Sequence, residues 1–340
     1  MTNQSYGRRL MGALVVLVLL STTIAGSVSA QAQKLIVYSG RSESLVAPLL
    51  EQFSKDTGIE VEVRYAGTTE LAATLLEEGD NSPADVFFAQ DAGALGALGA
   101  EDRLLKLPES ILSRVDPKFQ SADGLWVGVS GRARVLVYHT RTLKPEDLPA
   151  SILDLTDPKW KGKIGWAPSN ASFQSQVTAM RVALGEEATT AWLKGILANE
   201  PKVYEGNTAV VKDVAAGVIE VGLVNHYYIW QLHAQEPEAS VDVYFFPKGD
   251  IGSLVNVAGA AILKSSKNVE AAEKLVAYLL SEAGQTYFRE KTYEYPLVEG
   301  IEAVEGLTPL KELETPDFDL SDLSDLEGTL ELLRETGVLP

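Results

Sequence analysis

The 340-residue chain contains no cysteine and only three histidines. Without cysteine the chain forms no disulfide, and it cannot carry a lipid anchor on an N-terminal cysteine. Of the histidines, His139 and His233 show no metal-ligand spacing. These two histidines therefore give no signal for a metal site.

Basic residues are few, since 29 Lys and Arg stand against 47 Asp and Glu, a formal net charge of −18. This balance argues against nucleic acid or an anionic membrane as a partner. It is compatible with a cationic ligand. Catalytic signatures are also missing: no G-x-S-x-G or Ser-x-x-Lys motif stands in a matching context, and there is no G-x-x-x-x-G-K phosphate loop. We predict that the protein is not an enzyme.

Long apolar runs are confined to the N-terminus. Arg8 and Arg9 precede "LMGALVVLVLLSTTIAG", and "SVSA" ends at Ala30 with the small residues a signal peptidase reads. We predict a signal peptide over residues 1–30, cleaved after Ala30 and exported by the ordinary secretory route; an uncleaved anchor is the alternative. The remaining chain would be a periplasmic or extracytoplasmic protein, not a lipoprotein. Removing two arginines and no acids takes the formal charge from −18 to −20.

The chain beyond residue 30 alternates between strand and helix patterns, which predicts an α/β fold with a mainly parallel sheet. "ESLVAPLLEQFSKDTG" has helical spacing and a glycine stop, and "TTELAATLLEEGD" indicates a helix capped by Thr68 or Thr69. Ligands of such sheets bind beyond the carboxyl ends of the strands. Three segments are expected on that rim: "SGRSE" (39–43), "AGTTE" (66–70) and "AQDAG" (89–93).

The second half of the chain repeats the alternation. "GLWVGVSGRARVLVYHT" (124–140) predicts two β runs interrupted at residues 130–132, and "VNHYY" ends a further strand. Within a strand, Tyr227 and Tyr228 would point to opposite faces, whereas in a loop or the first turn of a helix they could converge.

These segments together resemble the periplasmic ferric-ion-binding proteins, the solute-binding components of iron ABC transporters. The resemblance covers nearly all of the chain after residue 30. It is carried by "VYSG", "LLEQFSKDTGIEVEV", "SPADVFFAQD", "SGRARVLVY", "DPKWKGKIGWAPSNASF", "LVNHYY" and "VAGAAILKSSKN". The most specific of these are "PKWKGKIG" and the tyrosine pair about sixty residues later.

The resemblance implies a two-lobed periplasmic-binding-protein type II fold, with a ligand cleft between α/β lobes joined by crossing β-strands. The N-terminal lobe would comprise residues 31–133 and about 258–308. The C-terminal lobe would comprise residues 134–257 and about 309–340. The implied function is capture of Fe(III) by a monomer and its delivery to an inner-membrane ABC permease.

In this family the paired tyrosines give phenolates to the metal, which makes Tyr227 and Tyr228 the first candidate ligands. The chemistry agrees, because Fe(III) is a hard cation that favours anionic oxygen. A free phenol has a pKa near 10, but a bound metal can remove its proton at neutral pH. The alternative is an aromatic pair that fills the edge of the core. His226, between Asn225 and the pair, is interpreted as pointing away from the cleft.

The resemblance also implies a synergistic anion, carbonate or phosphate. The "SNASF" loop supplies Asn170, Ala171 and Ser172 at the start of a helix, where free N–H groups favour an anion. Asn207 and Asn225 stand where the family places amide contacts to the anion. Further candidates are Arg132 and Arg134, which share one face of a strand and would otherwise form surface or hinge salt bridges.

The chain departs from the family at three positions. Where many members carry a histidine in the first loop, this chain has Ser42, preceded by Arg41. Gln90 occupies the position of a glutamate found in other members, and Asn170 occupies the position of a third tyrosine. A third protein ligand could be Asp91 or Glu43. Two other readings stay open. One is a binding protein for a small oxyanion, an organophosphonate or a ferric chelate on the same fold, and the other, more remote, is a hydrolase on a two-lobed scaffold.

Overall fold

The computed structural model describes residues 34–340. The predicted signal peptide therefore lies outside the described residues. Within the described range the alternation of strands and helices is confirmed. None of the helices in this part of the chain combines the length and the apolar character needed to span a membrane.

The described residues form nine strands and eleven α-helices. The strands are β1 Lys34–Ser39, β2 Glu60–Tyr65, β3 Val86–Ala89, β4 Val127–His139, β5 Ile164–Trp166, β6 Lys202–Val203, β7 Val221–Asn225, β8 Val241–Tyr244 and β9 Val255–Ile262. The helices are α1 Glu43–Thr57, α2 Thr68–Glu78, α3 Ala92–Ala100, α4 Glu109–Leu112, α5 Ala171–Leu184, α6 Glu186–Ala198, α7 Asn207–Ala215, α8 Tyr227–Gln235, α9 Val269–Leu279, α10 Glu282–Tyr287 and α11 Leu326–Glu335.

The strands lie in the order β2-β1-β3-β9-β4-β7-β5-β6, and β8 pairs with β4. We call β1, β2, β3 and β9 with their helices the first half, and β5 to β8 with theirs the second half. The parallel pairs lie inside the halves, where β1 joins β2 and β3, and β5 joins β6 and β7. Pairing is antiparallel wherever β4 or β9 takes part. The prediction of a mainly parallel sheet is wrong, because these two strands run against their neighbours.

Strand β4 joins the halves. Its residues from Val127 to Ala133 pair with β9, and those from Arg134 onward pair with β7 and β8. The predicted interruption at residues 130–132 does not occur, because all 13 residues are buried and the polar groups find partners inside the protein. Gly131 N–H donates to the Tyr295 carbonyl at 2.8 Å. Only a register shift between Gly128 and Ser130 marks the polar stretch.

The first two helices follow the sequence pattern with one correction. Helix α1 buries Val46, Leu49, Leu50 and Phe53 and ends at Gly58, whose φ of 73° suits glycine. The N-cap of α2 is Gly67 rather than Thr68 or Thr69. The Thr68 hydroxyl is engaged elsewhere, donating to the Gly40 carbonyl and accepting from Gln90 N–H. It therefore ties three loops of the rim together.

The C-terminal segment contacts both halves. A 3-10 turn at Leu320–Ser324 packs on α3 of the first half, where the Leu323 carbonyl and Ser324 lie against Gly93 and Gly96. Helix α11 packs on α5 of the second half, and Arg181 and Asp325 form an ion pair of 2.9 Å there. In α11, Thr329, Leu332 and Leu333 are buried, so this face of the helix packs against the rest of the protein. The residue limits of the two lobes stay a prediction.

Candidate functional site

The tyrosine pair stands where β7 ends and α8 begins. Tyr227 and Tyr228 are the first two residues of the helix, in agreement with one of the two placements that would let them converge. Their ring centroids lie 4.3 Å apart and the rings tilt by 32°. Tyr227 is fully buried, and its hydroxyl has no hydrogen-bond partner among the described residues. Tyr228 is half-buried.

Burial raises the pKa of Tyr228 well above its ordinary value, and the neighbouring Tyr227 raises it further. The charge of Arg41 and the amide of Asn207 oppose this effect without reversing it. The phenol is therefore protonated at neutral pH unless a cation displaces its proton. A high-valent metal ion can do so, since it stabilises the phenolate directly.

His226 precedes the pair and is fully engaged with the backbone. Its Nδ1 accepts from Ala133 N–H at 3.1 Å, so Nε2 carries the proton and donates to the Tyr293 carbonyl at 3.0 Å. Burial lowers the pKa of the imidazole to about 3. Both ring nitrogens are used in folding, and the interpretation of His226 as a structural residue agrees with this geometry.

Two buried arginines project from β4 toward the second half. Arg132 Nη1 donates to Ser172 Oγ at 2.7 Å, and Arg134 donates to Asn225 Oδ1 at 3.1 Å and Gln176 Oε1 at 2.9 Å. Burial lowers the pKa of both groups, to about 9 for Arg134. Both are charged at neutral pH, because a guanidinium is not deprotonated in proteins. Arg132 Nε and Arg134 Nη2 have no partner among the described residues.

Amide and hydroxyl groups surround these arginines. Ser172 Oγ also lies 3.1 Å from Asn225 Nδ2 and 2.9 Å from Gln90 Nε2. Asn170 caps α5 by accepting from Ser172 N–H at 3.0 Å, and Asn207 Nδ2 approaches the same amide oxygen at 3.5 Å. The side-chain amides of Asn170 and Asn207, at the N-termini of α5 and α7, thus contact each other. The structure therefore brings together the arginines and asparagines that were predicted for an anion.

A cleft lies between the rim loops of the two halves. Its volume is about 600 Å³, and it is lined by Gly40, Arg41, Ser42, Tyr65, Ala66, Gly67, Thr68, Thr69, Glu70, Gln90, Ser169, Asn170, Ala171 and Glu205. The three segments predicted on one rim all contribute to this wall. Thr69 Oγ1 donates to Gln174 Oε1 at 2.8 Å across the cleft, and Gln90 reaches Ser172, so polar side chains bridge the halves.

The carboxylate candidates lie in different surroundings. Asp91 Oδ1 caps α3 by accepting from Ala94 N–H and also accepts from Ser175 Oγ at 2.8 Å. Its buried Oδ2 has no partner within residues 34–340, and no hydrogen bond in that range joins Asp91 to the tyrosine pair. Glu43 is exposed at the start of α1. Of these two carboxylates, only Asp91 has a buried oxygen that could accept a ligand.

The sequence patterns missed a buried ion pair beside the tyrosines. Arg41 and Glu294 have fully buried side chains and meet at 2.5 Å, and the Arg41 guanidinium carbon lies 5.9 Å from the centroid of the Tyr227 ring. The sequence did contain one signal for Arg41, namely a charged residue in the Ser-Gly loop of the rim. It contained no signal for Glu294, because this residue lies 253 positions farther along the chain.

The buried charges of the site nearly balance. Arg41, Arg132 and Arg134 contribute three positive charges, and Glu294 and Asp91 contribute two negative ones, a formal sum of +1. In the part of the chain that the structure describes, no group of three or more His, Cys, Asp or Glu residues could hold a metal. A cation at this site would therefore depend on the buried phenols, and the spare arginine donors suit an anion beside it.

Comparisons with known proteins agree with this geometry. The sequence pattern of the family described as bacterial extracellular solute-binding protein matches residues 49–315. The Fe(3+)-binding periplasmic protein of Serratia marcescens is 35% identical over 310 residues, which is 90% of this chain and 91% of that protein. The major ferric iron-binding protein of Neisseria meningitidis serogroup B is 37% identical over 307 residues, 89% of this chain and 92% of that protein.

Solved structures agree with the sequence relatives. The iron-bound HitA structure from Pseudomonas aeruginosa superimposes with a TM-score of 0.86 at 35% identity, covering 90% of this chain and 99% of that chain. A Trichodesmium protein solved with iron and citrate ligands gives a TM-score of 0.76 at 31% identity, covering 89% and 99%. The two-lobed architecture with crossing strands, expected from the sequence, is thereby confirmed.

Proposed function

Because the chain belongs to the bacterial extracellular solute-binding proteins, within the ferric-ion-binding group, we propose that it captures Fe(III) outside the cytoplasm for an ABC permease. Tyr227 and Tyr228 supply two phenolates to the ion. The observation that carries this proposal is the position of the pair. Two adjacent phenols begin a helix beside Arg41, a residue of the cleft lining whose guanidinium carbon lies 5.9 Å from the Tyr227 ring centroid. One of the two hydroxyls is buried without a partner among the described residues.

Charge balance supports a bound anion as the second component. The site's formal charge of +1 becomes −1 when both tyrosines are phenolates, and Fe(III) raises it to +2. A dianion such as carbonate or hydrogen phosphate returns the buried site to neutrality, whereas a monoanion leaves one uncompensated charge. Since uncompensated buried charge is costly, a dianion is the favoured partner. The seat we propose for it consists of Asn170, Ala171, Ser172, Asn207, Asn225, Arg132 and Arg134.

Closure of the cleft explains how binding would be reported to the permease. Contacts such as Thr69 to Gln174 and Gln90 to Ser172 form only when the two rims meet. Excluding water around the ion strengthens each ionic contact. A permease that prefers the closed form would then select the loaded monomer, a population shift driven by the ligand. No catalytic step is needed for this role.

Visible spectroscopy tests the proposal. The protein, stripped of anions, is titrated with Fe(III) in a buffer without coordinating anions, and carbonate or phosphate is then added. We expect an iron–phenolate band that strengthens with the anion and shifts when one anion replaces the other. Tight phosphate or phosphonate binding without any iron and without colour would favour the oxyanion reading. Full-strength iron binding with an anion-independent spectrum would remove the anion from the proposal and indicate a third protein ligand.

A further inference from the structure

We propose that Arg41 is an additional anion-binding residue of the site, with Glu294 as the residue that positions it. This inference rests on the proposed function, since it concerns the anion that accompanies Fe(III). Arg41 belongs to the loop after β1 and so to the first half. The anion seat described above otherwise draws on β4 and the second half.

The guanidinium of Arg41 is buried but only partly used. Its side chain is 0% exposed, and Nη2 lies 2.5 Å from Glu294 Oε1. Nε and Nη1 have no partner among the described residues. Arg41 also lines the cleft together with Asn170 and Ala171 of the second half. A buried guanidinium with two unpartnered nitrogens, lining the same cleft as the helix start that carries the anion candidates, is suited to an anion.

Glu294 is itself fixed from several sides. Its second oxygen, Oε2, accepts from Ser130 Oγ at 2.8 Å and from Thr292 Oγ1 at 3.2 Å. The preceding residue, Tyr293, has a left-handed φ of 61°, a conformation that the surrounding structure must enforce. The carboxylate therefore holds one corner of the Arg41 fork in place and leaves the other nitrogens directed elsewhere.

An anion bound by Arg41 would contact both halves of the protein. Arg132 and Arg134 donate mainly to second-half groups, namely Ser172, Asn225 and Gln176. In the first half, Arg132 Nη2 donates only to the Val257 carbonyl, at 3.3 Å. An anion held by these two arginines and their second-half partners alone would gain little when the first half approached. With Arg41 as a further donor, the anion interacts more strongly in the closed form than in the open one. Such a differential contact is what a ligand needs in order to shift a conformational equilibrium.

The position of the free nitrogens limits how Arg41 can bind an anion. With Nη2 occupied by Glu294, Nε and Nη1 lie on different edges of the guanidinium and cannot both reach one small anion. We therefore expect Arg41 to give the anion its positive charge and a single charged hydrogen bond.

The test measures the anion concentration at which the iron–phenolate band reaches half of its maximal intensity, at a fixed Fe(III) concentration. Arg41→Gln should raise this concentration about tenfold, since a charged hydrogen-bond donor is lost. Arg41→Lys should keep part of the affinity, because the positive charge remains while the position of the donor changes. Glu294→Gln should act in the opposite direction and lower the concentration several-fold, because Arg41 then lacks its counter-charge. Arg64→Gln, at a half-exposed arginine outside the cleft lining, is the matched control and should change nothing.

Opposite effects of Arg41→Gln and Glu294→Gln distinguish anion binding from a purely structural ion pair. Weakening of the same size in both variants, or an Arg41→Gln value within twofold of the wild type, would overturn the inference. If Arg41→Gln does not fold, Arg41→Lys and Glu294→Gln carry the same test. Absence of the band in the wild type would defeat the proposed function instead. Calorimetry of phosphate binding to the iron-free wild type and Arg41→Lys would then still decide the role of Arg41, with unchanged affinity counting against it.

Discussion

Tyr227 and Tyr228 lie side by side, with ring centroids 4.3 Å apart and a tilt of 32°. Sequence neighbours in a strand would point to opposite faces, but these two residues open α8 immediately after β7 ends. Because the strand gives way to a helix at His226, both rings can point toward the same site. Since the Tyr227 hydroxyl makes no hydrogen bond within the described residues, its loss should affect ligand binding more than folding.

The first prediction concerns the two phenol groups. We expect Tyr227→Phe and Tyr228→Phe each to weaken Fe(III) binding by at least about two orders of magnitude, because each removes one anionic ligand. The free energy of unfolding should change by less than about 1 kcal/mol, a typical value for one hydrogen bond. Ferric titrations and denaturant unfolding of both variants provide the measurement.

Tyr295→Phe is the reciprocal control. Its hydroxyl donates to the Thr308 carbonyl at 2.8 Å, and the ring is buried. This variant should lose about 1 kcal/mol of stability and keep its iron affinity. If either variant of the pair binds iron as the wild type does, that ring fills the edge of the core, as the alternative interpretation held.

The second prediction compares two carboxylates. Asp91→Asn should raise the Fe(III) dissociation constant more than Glu43→Gln does, because Asp91 has a buried oxygen without a partner in the described chain and Glu43 is exposed. Ser175→Ala controls for position, since it removes only the hydrogen bond to Asp91 Oδ1. Equal and negligible effects of the two acid substitutions would show that neither carboxylate coordinates the ion.

Much of this architecture could be predicted from local patterns. The helical spacing of Leu49, Leu50 and Phe53, the stop at Gly58 and the three-segment rim are short-range features, and the structure confirms them. The break in β4 was mispredicted for a tertiary reason. A Ser-Gly-Arg stretch has the composition of a turn, but here Arg132 Nη1 donates to Ser172 and the Gly131 backbone pairs with Tyr295, both from distant parts of the chain.

Only part of the site could be predicted from the sequence, for the same reason. Residues at the ends of strands, such as Asn225 and Tyr227, could be located because the sheet pattern fixes where strands end. The Arg41–Glu294 pair could not, since it depends on a contact across 253 positions and on the left-handed conformation at Tyr293. A single sequence does not reveal which charged residues are buried together.

The third prediction concerns stability below neutral pH. Burial lowers the pKa of His226 to about 3, against an ordinary value of 6.5. Between these values the unfolded chain binds a proton that the folded chain does not, so stability rises with pH across this window. The contribution of His226 should be complete above pH 6.5 and lost progressively as the pH falls toward 3, by on the order of 4 kcal/mol.

Comparison with His226→Gln isolates this contribution from other acid-sensitive groups. The variant cannot take up the proton, so its unfolding free energy should depend less steeply on pH between about 6.5 and about 4 than that of the wild type. Denaturant unfolding at several pH values measures both slopes. If the unfolding free energies of the wild type and His226→Gln depended equally on pH, the imidazole would be protonated in the folded protein. That result would conflict with the hydrogen bond that Nδ1 accepts from Ala133 N–H.

The fourth prediction tests how closely the rim must pack. A Cβ atom at Gly40 would lie 1.9 Å from Thr68 Oγ1 and 2.8 Å from Thr68 Cα. Because the second of these is a backbone atom, rotation of the threonine side chain cannot relieve the clash. Gly40→Ala must therefore separate the loop that carries Arg41 from the start of α2, and we expect a loss of about 1–3 kcal/mol in stability, as for other overpacked sites.

Gly67→Ala is the matched control, because it lies on the same rim with an ordinary φ of −61° and no atom closer than 3.9 Å to the added methyl group. Its stability should stay within about 1 kcal/mol of the wild type. Gly40→Ala should also weaken anion-dependent iron binding, since the displaced loop bears Arg41 and Thr68 anchors Gln90 N–H at 3.1 Å. Iron affinity and unfolding free energy are measured for both variants. Loss of stability in Gly40→Ala with full iron affinity would mean that the rim tolerates displacement and that Arg41 reaches no ligand from it.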